Sequence, residues 1–218
     1  MNVFLTGGSR GIGKEIKNFY ESKNHKVICP NRNELDLSDI NSIDNYLSNF
    51  NLPIDILINN AGINDAYKIS EIDYLNLHKI LDTNFTSHLI ITKHFLKYFI
   101  DKKYGRIINV GSVRTDILKQ GRLGYSISKN CLHFLTKYIV LENSGLDILA
   151  NTISPGYVES DMLYKNNSID EINKMISKIP LGFLCDPLEI AKLSYFLSID
   201  NKYITGQNIF IDGGLSAI

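Results

Sequence analysis

The chain has 218 residues, 44% of them hydrophobic, and its 23 basic and 23 acidic residues give a formal net charge of zero. This length suits one α/β domain with a substantial core better than two small ones. The balanced charge argues against a general affinity for nucleic acid or for an anionic membrane surface. Cys29, Cys131 and Cys185 lack the spacing of metal ligands, so we expect reduced thiols and no metal site.

The first strand-like run, NVFLT, begins at residue 2, and no apolar stretch approaches the length that crosses a bilayer. We therefore expect neither a signal peptide nor a membrane segment, and a cytoplasmic location.

Short apolar runs alternate along the chain with longer stretches of helical periodicity. Several runs are apolar at successive positions, a pattern typical of strands covered on both faces. The alternation predicts an α/β fold, a doubly wound parallel sheet of about seven strands in a single domain, residues 1–218. Strands are predicted at 3–6, 27–29, 34–37, 55–59, 106–110, 148–153 and 207–211, and helices at 11–22, 40–49, 72–100, 125–141 and 187–197.

Residues 158–179 differ from the rest because they are polar, rich in asparagine and flanked by SPG and IPLG. This composition predicts a mobile flap beside a substrate site rather than a part of the sheet. An ordinary surface excursion is the alternative.

A glycine-rich turn, TGGSRGIGKEI, follows the first predicted strand and opens the first predicted helix. Glycine lets the chain reverse tightly and lets backbone approach a pyrophosphate. The N–H groups and the dipole at a helix N-terminus favour an anion. Gly7, Gly11 and Gly13 in this position predict a dinucleotide site.

The spacing Thr-Gly-x-x-x-Gly-x-Gly, with NNAG at 59–62, SPG at 154–156 and ITGQNIFIDGG near the end, resembles the short-chain dehydrogenase/reductase family. The resemblance runs almost end to end, and its layout is closest to members of the 3-oxoacyl-acyl-carrier-protein reductase type. It implies a Rossmann-type fold, a nicotinamide cofactor and an oxidoreductase activity. By this resemblance the cofactor contacts Gly7, Ser9, Arg10, Gly11, Ile12, Gly13, Asn31, Arg32, Asp36, Leu37, Asn60, Ala61, Gly62, Tyr125, Lys129, Pro155, Gly156, Val158 and Ser160.

Two Tyr-x-x-x-Lys pairs occur, Tyr125–Lys129 and Tyr98–Lys102, about as many as the composition gives by chance. In the family, a serine at the end of the fifth strand precedes the reactive tyrosine. Ser112 ends IINVGS and lies 13 positions before Tyr125, the family's usual interval, whereas Tyr98 has no such serine ahead of it. We therefore predict that Tyr125 is the reactive tyrosine and that Tyr98 packs on a helix surface.

The chemistry explains why tyrosine and lysine are paired. A neutral tyrosine is a poor acid or base at neutral pH, and a nearby ammonium is expected to lower its pKa. Positions i and i+4 share a helix face, so Lys129 can lie beside Tyr125. By the resemblance, Lys129 also binds the nicotinamide ribose, Ser112 holds the substrate oxygen, and Asn84 in DTNFTS organises a water relay to the lysine.

The end of the second predicted strand, VICPNRNELDLSD, bears on the choice of cofactor. Family members that prefer NAD usually carry an acid there for the ribose 2′-OH. Here that position is Asn31, followed by Arg32, and Arg10 lies in the glycine loop. These residues favour NADP(H), with NAD(H) as the alternative. Relatives usually have a further helix between their second and third strands, and this chain lacks it.

The loop between Ser112 and Tyr125, VRTDILKQGRLG, carries Arg114, Lys119 and Arg122. The Arg114 guanidinium could clamp a carboxylate or phosphate of the substrate, and Tyr157 is a second candidate contact. Pairing of Arg114 with Asp116, or exposure of all three cations to solvent, is the alternative.

The residues thus favour an NADP-dependent reductase or dehydrogenase for a small-molecule carbonyl. The substrate is either an acyl-carrier-linked 3-oxoacyl group or a polar or anionic ketone such as a sugar derivative. A non-catalytic nucleotide-sensing or scaffolding protein is the alternative from another class, but such proteins typically lose the serine, tyrosine or lysine. An epimerase or dehydratase of the extended branch fits the length poorly, and an enoyl reductase spaces its tyrosine and lysine more widely.

The helices 72–100 and 125–141 predict a homodimer or homotetramer, because relatives pair these helices across a two-fold axis.

Overall fold

The computed structural model describes residues 1–217, with Asp161, Met162 and Asn166 described by their backbone alone. Ile218, the last residue of the predicted domain, lies outside the described residues. The chain folds as one α/β domain around a parallel six-stranded sheet of order β2-β1-β3-β4-β5-β6. The strands are β1 Asn2–Leu5, β2 Lys26–Ile28, β3 Ile56–Asn59, β4 Tyr104–Val110, β5 Asp147–Pro155 and β6 Asn208–Ile211; the helices are α1 Gly11–Ser22, α2 Ile40–Ser48, α3 Tyr74–Leu81, α4 Ser87–Asp101, α5 Leu123–Glu142, α6 Asp161–Asn166, α7 Ile169–Ile176 and α8 Pro187–Tyr195.

Apolar side chains on both faces of the central strands explain why the sheet lies between two helical layers. In β3, Leu57 packs into one core with Phe95 of α4, while Ile56 and Ile58 point into the other core with Ile16 of α1. Successive residues of a strand point to opposite faces, so a continuous apolar run requires cover on both sides. The strand order reverses beside β1 and β3, where a ligand cleft opens at the carboxyl ends of the strands.

The predicted strand at 34–37 is wrong, and the sheet has six strands rather than about seven. The Asn31 side chain accepts hydrogen bonds from the backbone N–H groups of Asn33 and Glu34, and the Asp36 carboxylate accepts one from Ser38. Leu35 is buried in the core, and Leu37 packs against the same core while partly exposed. Short polar side chains that bind neighbouring backbone favour turns, and here they replace the strand.

The predicted helix at 72–100 consists of α3 and α4, joined by one turn of π-helix, Asp82–Thr86. Asp73 caps α3 by accepting a hydrogen bond from the Asn76 N–H. Isolated π-helical turns occur mostly inside α-helices and frequently at functional sites. The break therefore directs attention to Asn84, which lies within it.

Residues 158–179 form α6 and α7 and contribute no strand to the sheet, although Val158 makes one isolated bridge with Cys185. Ser168 and Glu171 cap α7 reciprocally, and Ile172 and Ile179 are buried. The second half of the segment is therefore anchored by its own cap and by two apolar side chains; its mobility stays a prediction. Across the described part of the chain, no helix is both long and apolar enough to cross a membrane.

Candidate active site

The carboxyl ends of the strands open into one cleft of about 1240 Å³. Ser112, Tyr125 and Lys129 line it together with every position predicted for the cofactor and with Tyr157. Asn84 and Arg114 are absent from its walls and lie behind them. The fold thus brings residues that are far apart in the sequence to one place.

The glycine loop forms the floor of one half of the cleft. Gly7 and Gly11 have φ values of +72° and +53°, a region that glycine tolerates best. A Cβ on Gly13 would lie 2.1 Å from the Gly7 carbonyl oxygen, so no larger residue fits there. Arg10 caps α1 without a side-chain hydrogen bond to its first N–H groups. The loop therefore leaves backbone donors facing an open cradle that suits an anion.

The turn after β3 is held against β1 by a buried chain of hydrogen bonds. The Thr6 Oγ1 accepts from the backbone N–H groups of Asn60 and Ala61, at 3.0 and 3.1 Å. His88 lies 3.2 Å from the same hydroxyl through Nε2 and 3.0 Å from the Asn84 carbonyl through Nδ1. A carbonyl can only accept, so Nδ1 carries the hydrogen, and the Thr6 hydroxyl donates to Nε2.

His88 was missed by the sequence analysis. It is fully buried, and burial, followed by the charge of Lys129, lowers its pKa to about 3. It is therefore a neutral imidazole that joins α4 to the carboxyl end of β1. A single histidine within a helical pattern carries no signal for such a role.

Asn84 is fully buried and fastens the loop after β3 to α5. Its side chain bonds both backbone groups of Ile63, at 2.8 and 2.9 Å, and donates to the Ser128 hydroxyl at 3.0 Å. A Cβ on Gly62 would lie 3.3 Å from Asn84 Oδ1 and 3.5 Å from Lys129 Nζ. Asn84 and Lys129 therefore meet at the backbone of Gly62.

Ser112, Tyr125 and Lys129 come together from β4 and α5. Ser112 follows β4 and caps a single 3₁₀ turn, where its hydroxyl accepts from the Arg114 N–H at 3.2 Å. Tyr125 lies in the first turn of α5, and Lys129 one turn later donates to the Val110 carbonyl at 2.7 Å. The Lys129 Nζ is 5.8 Å from the centroid of the Tyr125 ring.

Tyr98, by contrast, lies on the outer face of α4 with 47% of its surface exposed. Its ring contacts His94, and Lys102 one turn later binds the Asp55 carboxylate at 2.7 Å. Neither Tyr98 nor Lys102 lines the cleft. The packing expected for Tyr98 is thus the packing observed.

The expectation that Lys129 lowers the pKa of Tyr125 is wrong for this structure. Burial raises the pKa of Tyr125 above its ordinary value, and the opposing effects come from the Ser112 side chain and from the charges of Arg114 and Arg122. Burial also lowers the pKa of Lys129 to about 8. The Lys129 ammonium is desolvated and donates to the Val110 carbonyl. Loss of hydration is therefore the largest effect on the pKa of both Tyr125 and Lys129.

At the other end of the cleft, Arg32 is 78% exposed at its side chain and pairs with the Asp36 carboxylate at 3.2 Å. Hydrogen bonds from Ser38, followed by Arg32, lower the pKa of Asp36. Lys17 and Cys29 also line the cleft, and both were missed by the sequence analysis. Their side chains come from α1 and from the loop after β2, where no motif marks them.

Of the loop cations, Arg114 and Arg122 are near enough to act on the pKa of Tyr125, but neither they nor Lys119 line the cleft. Arg114 donates to the Tyr157 hydroxyl at 2.8 Å and to the Ile117 carbonyl at 3.2 Å rather than pairing with Asp116. Arg122 binds the Asn64 carbonyl and, at 2.9 Å, its side-chain oxygen, while Lys119 is exposed.

Within residues 1–217, leaving aside the three side chains not described, no group of three or more His, Cys, Asp and Glu side chains suits a metal ion.

Comparison with known proteins gives consistent likenesses. A family model described as "Enoyl-(Acyl carrier protein) reductase" matches residues 4–216. The 3-oxoacyl-[acyl-carrier-protein] reductase of Buchnera aphidicola subsp. Schizaphis graminum is 32% identical over 235 residues, which cover 98% of this chain and 96% of the relative. A structure of 4-hydroxyisoleucine dehydrogenase complexed with NADH superimposes with a TM-score of 0.93 at 28% identity, covering 100% of this chain and 99% of that one. A mutant of that dehydrogenase, complexed with NADH and succinate, gives the same values.

Proposed function

Because this chain belongs to the short-chain dehydrogenase/reductase family, we propose that it reduces a ketone with NADPH, with Tyr125 as the proton donor. As a family member it is an oxidoreductase of CH–OH and C=O groups. The main support for the proposal is that Ser112, Tyr125 and Lys129 lie together in the same cleft that the glycine loop lines.

The residues present fit a dinucleotide. A Cβ on Gly7 or Gly13 would collide with Ala61 or with the Gly7 carbonyl, so these glycines let the turn pack closely; at Gly11 the space is open, and the first N–H groups of α1 face the cleft. The glycine loop would hold the pyrophosphate, the turn at Asn60, Ala61 and Gly62 the central part, and Lys129 the nicotinamide ribose. When bound, the nicotinamide supplies or accepts a hydride.

The side chains of the site then bind the substrate's carbonyl oxygen and transfer a proton to it. Ser112 donates a hydrogen bond to the carbonyl oxygen, and Tyr125 gives that oxygen its proton in reduction and takes it back in oxidation. Burial raises the pKa of Tyr125, so the phenol keeps the proton that reduction requires at neutral pH, although a phenol with a raised pKa is a weaker acid. Lys129, with a pKa of about 8, is still mostly protonated there and holds the positive charge beside the phenol.

Asn31, Arg32 and Arg10 support NADP(H) over NAD(H). The side chain at position 31 is neutral, although the Glu34 carboxylate accepts from the Asn31 N–H at 2.7 Å, and Arg32 and Arg10 both line the cleft. Arg32 would exchange its exposed pairing with Asp36 for the phosphate, at little cost because exposed ion pairs contribute little. NAD(H) stays the alternative, since the similar 4-hydroxyisoleucine dehydrogenase was solved with NADH.

Two substrate classes remain. The likeness to 3-oxoacyl-[acyl-carrier-protein] reductases supports an acyl-carrier-linked ketone, and the likeness to 4-hydroxyisoleucine dehydrogenase supports a small polar one. Residues 158–179 would act as the substrate flap, since Leu163 and Lys165 of α6 line the cleft. A non-catalytic sensor is less well supported, because the serine, tyrosine and lysine are all present and adjacent.

Self-association is part of the proposal. Leu89 and Tyr98 on α4, and Phe134, Tyr138 and Leu141 on α5, expose large apolar side chains. Helix faces of this kind suit a two-fold contact between copies of the chain, giving a homodimer or a homotetramer. The cytoplasmic location stays a prediction.

The test compares two tyrosine variants. Tyr125→Phe removes one hydroxyl from the cleft, and we expect kcat for NADPH-dependent ketone reduction to fall by about 100-fold or more, because proton transfer is lost. NADPH affinity, followed by cofactor fluorescence, should change little. Tyr98→Phe removes the same hydroxyl from the surface of α4 and should keep full activity. Equal losses in the two variants, or none in either, would contradict the proposed role.

A further inference from the structure

Arg114 is a half-buried cation that no acidic residue neutralises in the described part of the chain. The neighbouring carboxylate of Asp116 accepts from the Thr115 hydroxyl at 2.7 Å instead. Two N–H groups of Arg114 are used, one on Tyr157 and one on the Ile117 carbonyl. A guanidinium has five N–H donors, so its charge and most of its donors are left for another group.

Tyr157 connects this charge to the cleft. The Arg114 guanidinium carbon lies 5.2 Å from the centroid of the Tyr157 ring, and Nη2 donates to its hydroxyl at 2.8 Å. The hydroxyl accepts from the cation, so its own hydrogen is free to be donated elsewhere. The backbone of Tyr157 is fixed by the bond from the Cys185 N–H to its carbonyl, at 2.9 Å. Tyr157 is therefore a polarised donor on the wall of the cleft.

Arg122 is a second cation whose charge acts on Tyr125. Arg122 binds the neutral Asn64, and no acidic residue pairs with it in residues 1–217 with described side chains. The carboxylate of Asp65, which also lines the cleft, is paired with Lys79 at 3.1 Å. The substrate end of the cleft thus carries more positive than negative charge, which attracts and holds an anion.

We propose that the substrate is a keto acid whose carboxylate accepts a hydrogen bond from the Tyr157 hydroxyl, with the Arg114 guanidinium behind it as the counter-charge. This inference rests on the proposed ketone reduction and names the substrate class for it. In this arrangement Tyr157 contacts the substrate, whereas Arg114 acts through Tyr157 and is a positioning residue. The carboxylate fixes the orientation in which the ketone meets Ser112 and Tyr125.

The test compares keto acids with their uncharged esters. NADPH oxidation is measured with pyruvate, acetoacetate and levulinate and with the three methyl esters, so that the spacing between ketone and carboxylate varies. For at least one pair, we expect the wild-type kcat/KM for the acid to exceed that for the ester by about tenfold or more, as one charge-assisted contact allows. Tyr157→Phe and Arg114→Gln should bring this ratio close to one, mainly through KM for the acid, and Arg114→Lys should restore part of it.

Lys119→Ala is the matched control, because Lys119 is an exposed cation of the same loop; it should leave the ratio unchanged. A purely structural role of Arg114 would lower the rates for acid and ester alike, and that result would overturn the inference. Equal wild-type rates with the acids and esters would overturn it as well, while ketone reduction itself would stand. If no ketone, charged or uncharged, is reduced with either NADPH or NADH, the proposed function fails and this inference fails with it.

Discussion

Lys129 offers a direct test of how the site is built, because its burial has a measurable effect on stability. Only 3% of its surface is exposed, and its pKa falls from 10.5 to about 8. A shift of that size means that burying the ammonium costs about 3 kcal/mol of folding free energy. Lys129→Met removes the charge and keeps most of the volume, but it leaves the Val110 carbonyl without its 2.7 Å donor.

The two effects oppose one another at neutral pH. A carbonyl left without a partner costs about 1–2 kcal/mol, so we expect Lys129→Met to stabilise the protein by about 1–2 kcal/mol while abolishing turnover. The dependence on pH is the sharper signature. The folded-state pKa lies below the unfolded one, so between about pH 8 and pH 10.5 the unfolded chain binds a proton that the folded chain has lost, and the wild type gains stability as pH rises.

The measurement is urea unfolding of both proteins at one concentration, followed by far-UV circular dichroism because the chain has no tryptophan. Between about pH 7 and about pH 9.5, the difference in unfolding free energy should shift by about 2 kcal/mol in favour of the wild type. Tyrosine and cysteine titrations common to both proteins cancel in this difference. A difference that stays constant with pH would show that Lys129 is not desolvated as described.

Two further predictions concern the cofactor and the assembly. Arg32→Asp should move the ratio of kcat/KM for NADPH to that for NADH towards NADH by about tenfold or more, because it removes a cation and adds an acceptor for the 2′-OH; a wild type that already prefers NADH would refute the assignment. Light scattering at micromolar concentration should give the mass of a dimer or tetramer, and Phe134→Glu with Tyr138→Glu on the exposed face of α5 should shift it towards a monomer; a monomeric wild type would show that these faces do not associate.

Much of the fold could be predicted from local pattern. The apolar runs of β1, β3, β4 and β5 are buried on both faces, and such runs have few alternatives in an α/β chain. Helix α1 matches its predicted bounds because the glycine loop marks its start. The strand predicted at 34–37 is wrong because its alternating pattern resembles a strand, while the Asn31 and Asp36 side chains accept hydrogen bonds from the backbone N–H groups of Asn33 and Ser38 and stabilise turns.

The site, like the fold, has some features that the sequence predicted and others that it did not. The position of Tyr125 behind Ser112 could be predicted because the family resemblance implies a fixed interval between the serine, which follows β4, and the tyrosine in the first turn of α5. The contacts of His88 with Thr6, and of Arg114 with Tyr157, join elements far apart in sequence and have no local signature. The pKa of Tyr125 was misjudged because a helical spacing shows which residues are neighbours and not how much water they lose.

The missing strand at 34–37 also changes the outline of the sheet. Without it, the two edge strands of the sheet are β2, with three residues, and β6, with four. Each margin therefore offers only a few free backbone groups to an incoming strand from another molecule. Strand-by-strand growth into fibrils has little template on the native protein, and the two longest apolar strands, β4 and β5, are both interior. Resistance to amyloid-like aggregation is then a property of the folded state, lost only when the central strands are uncovered.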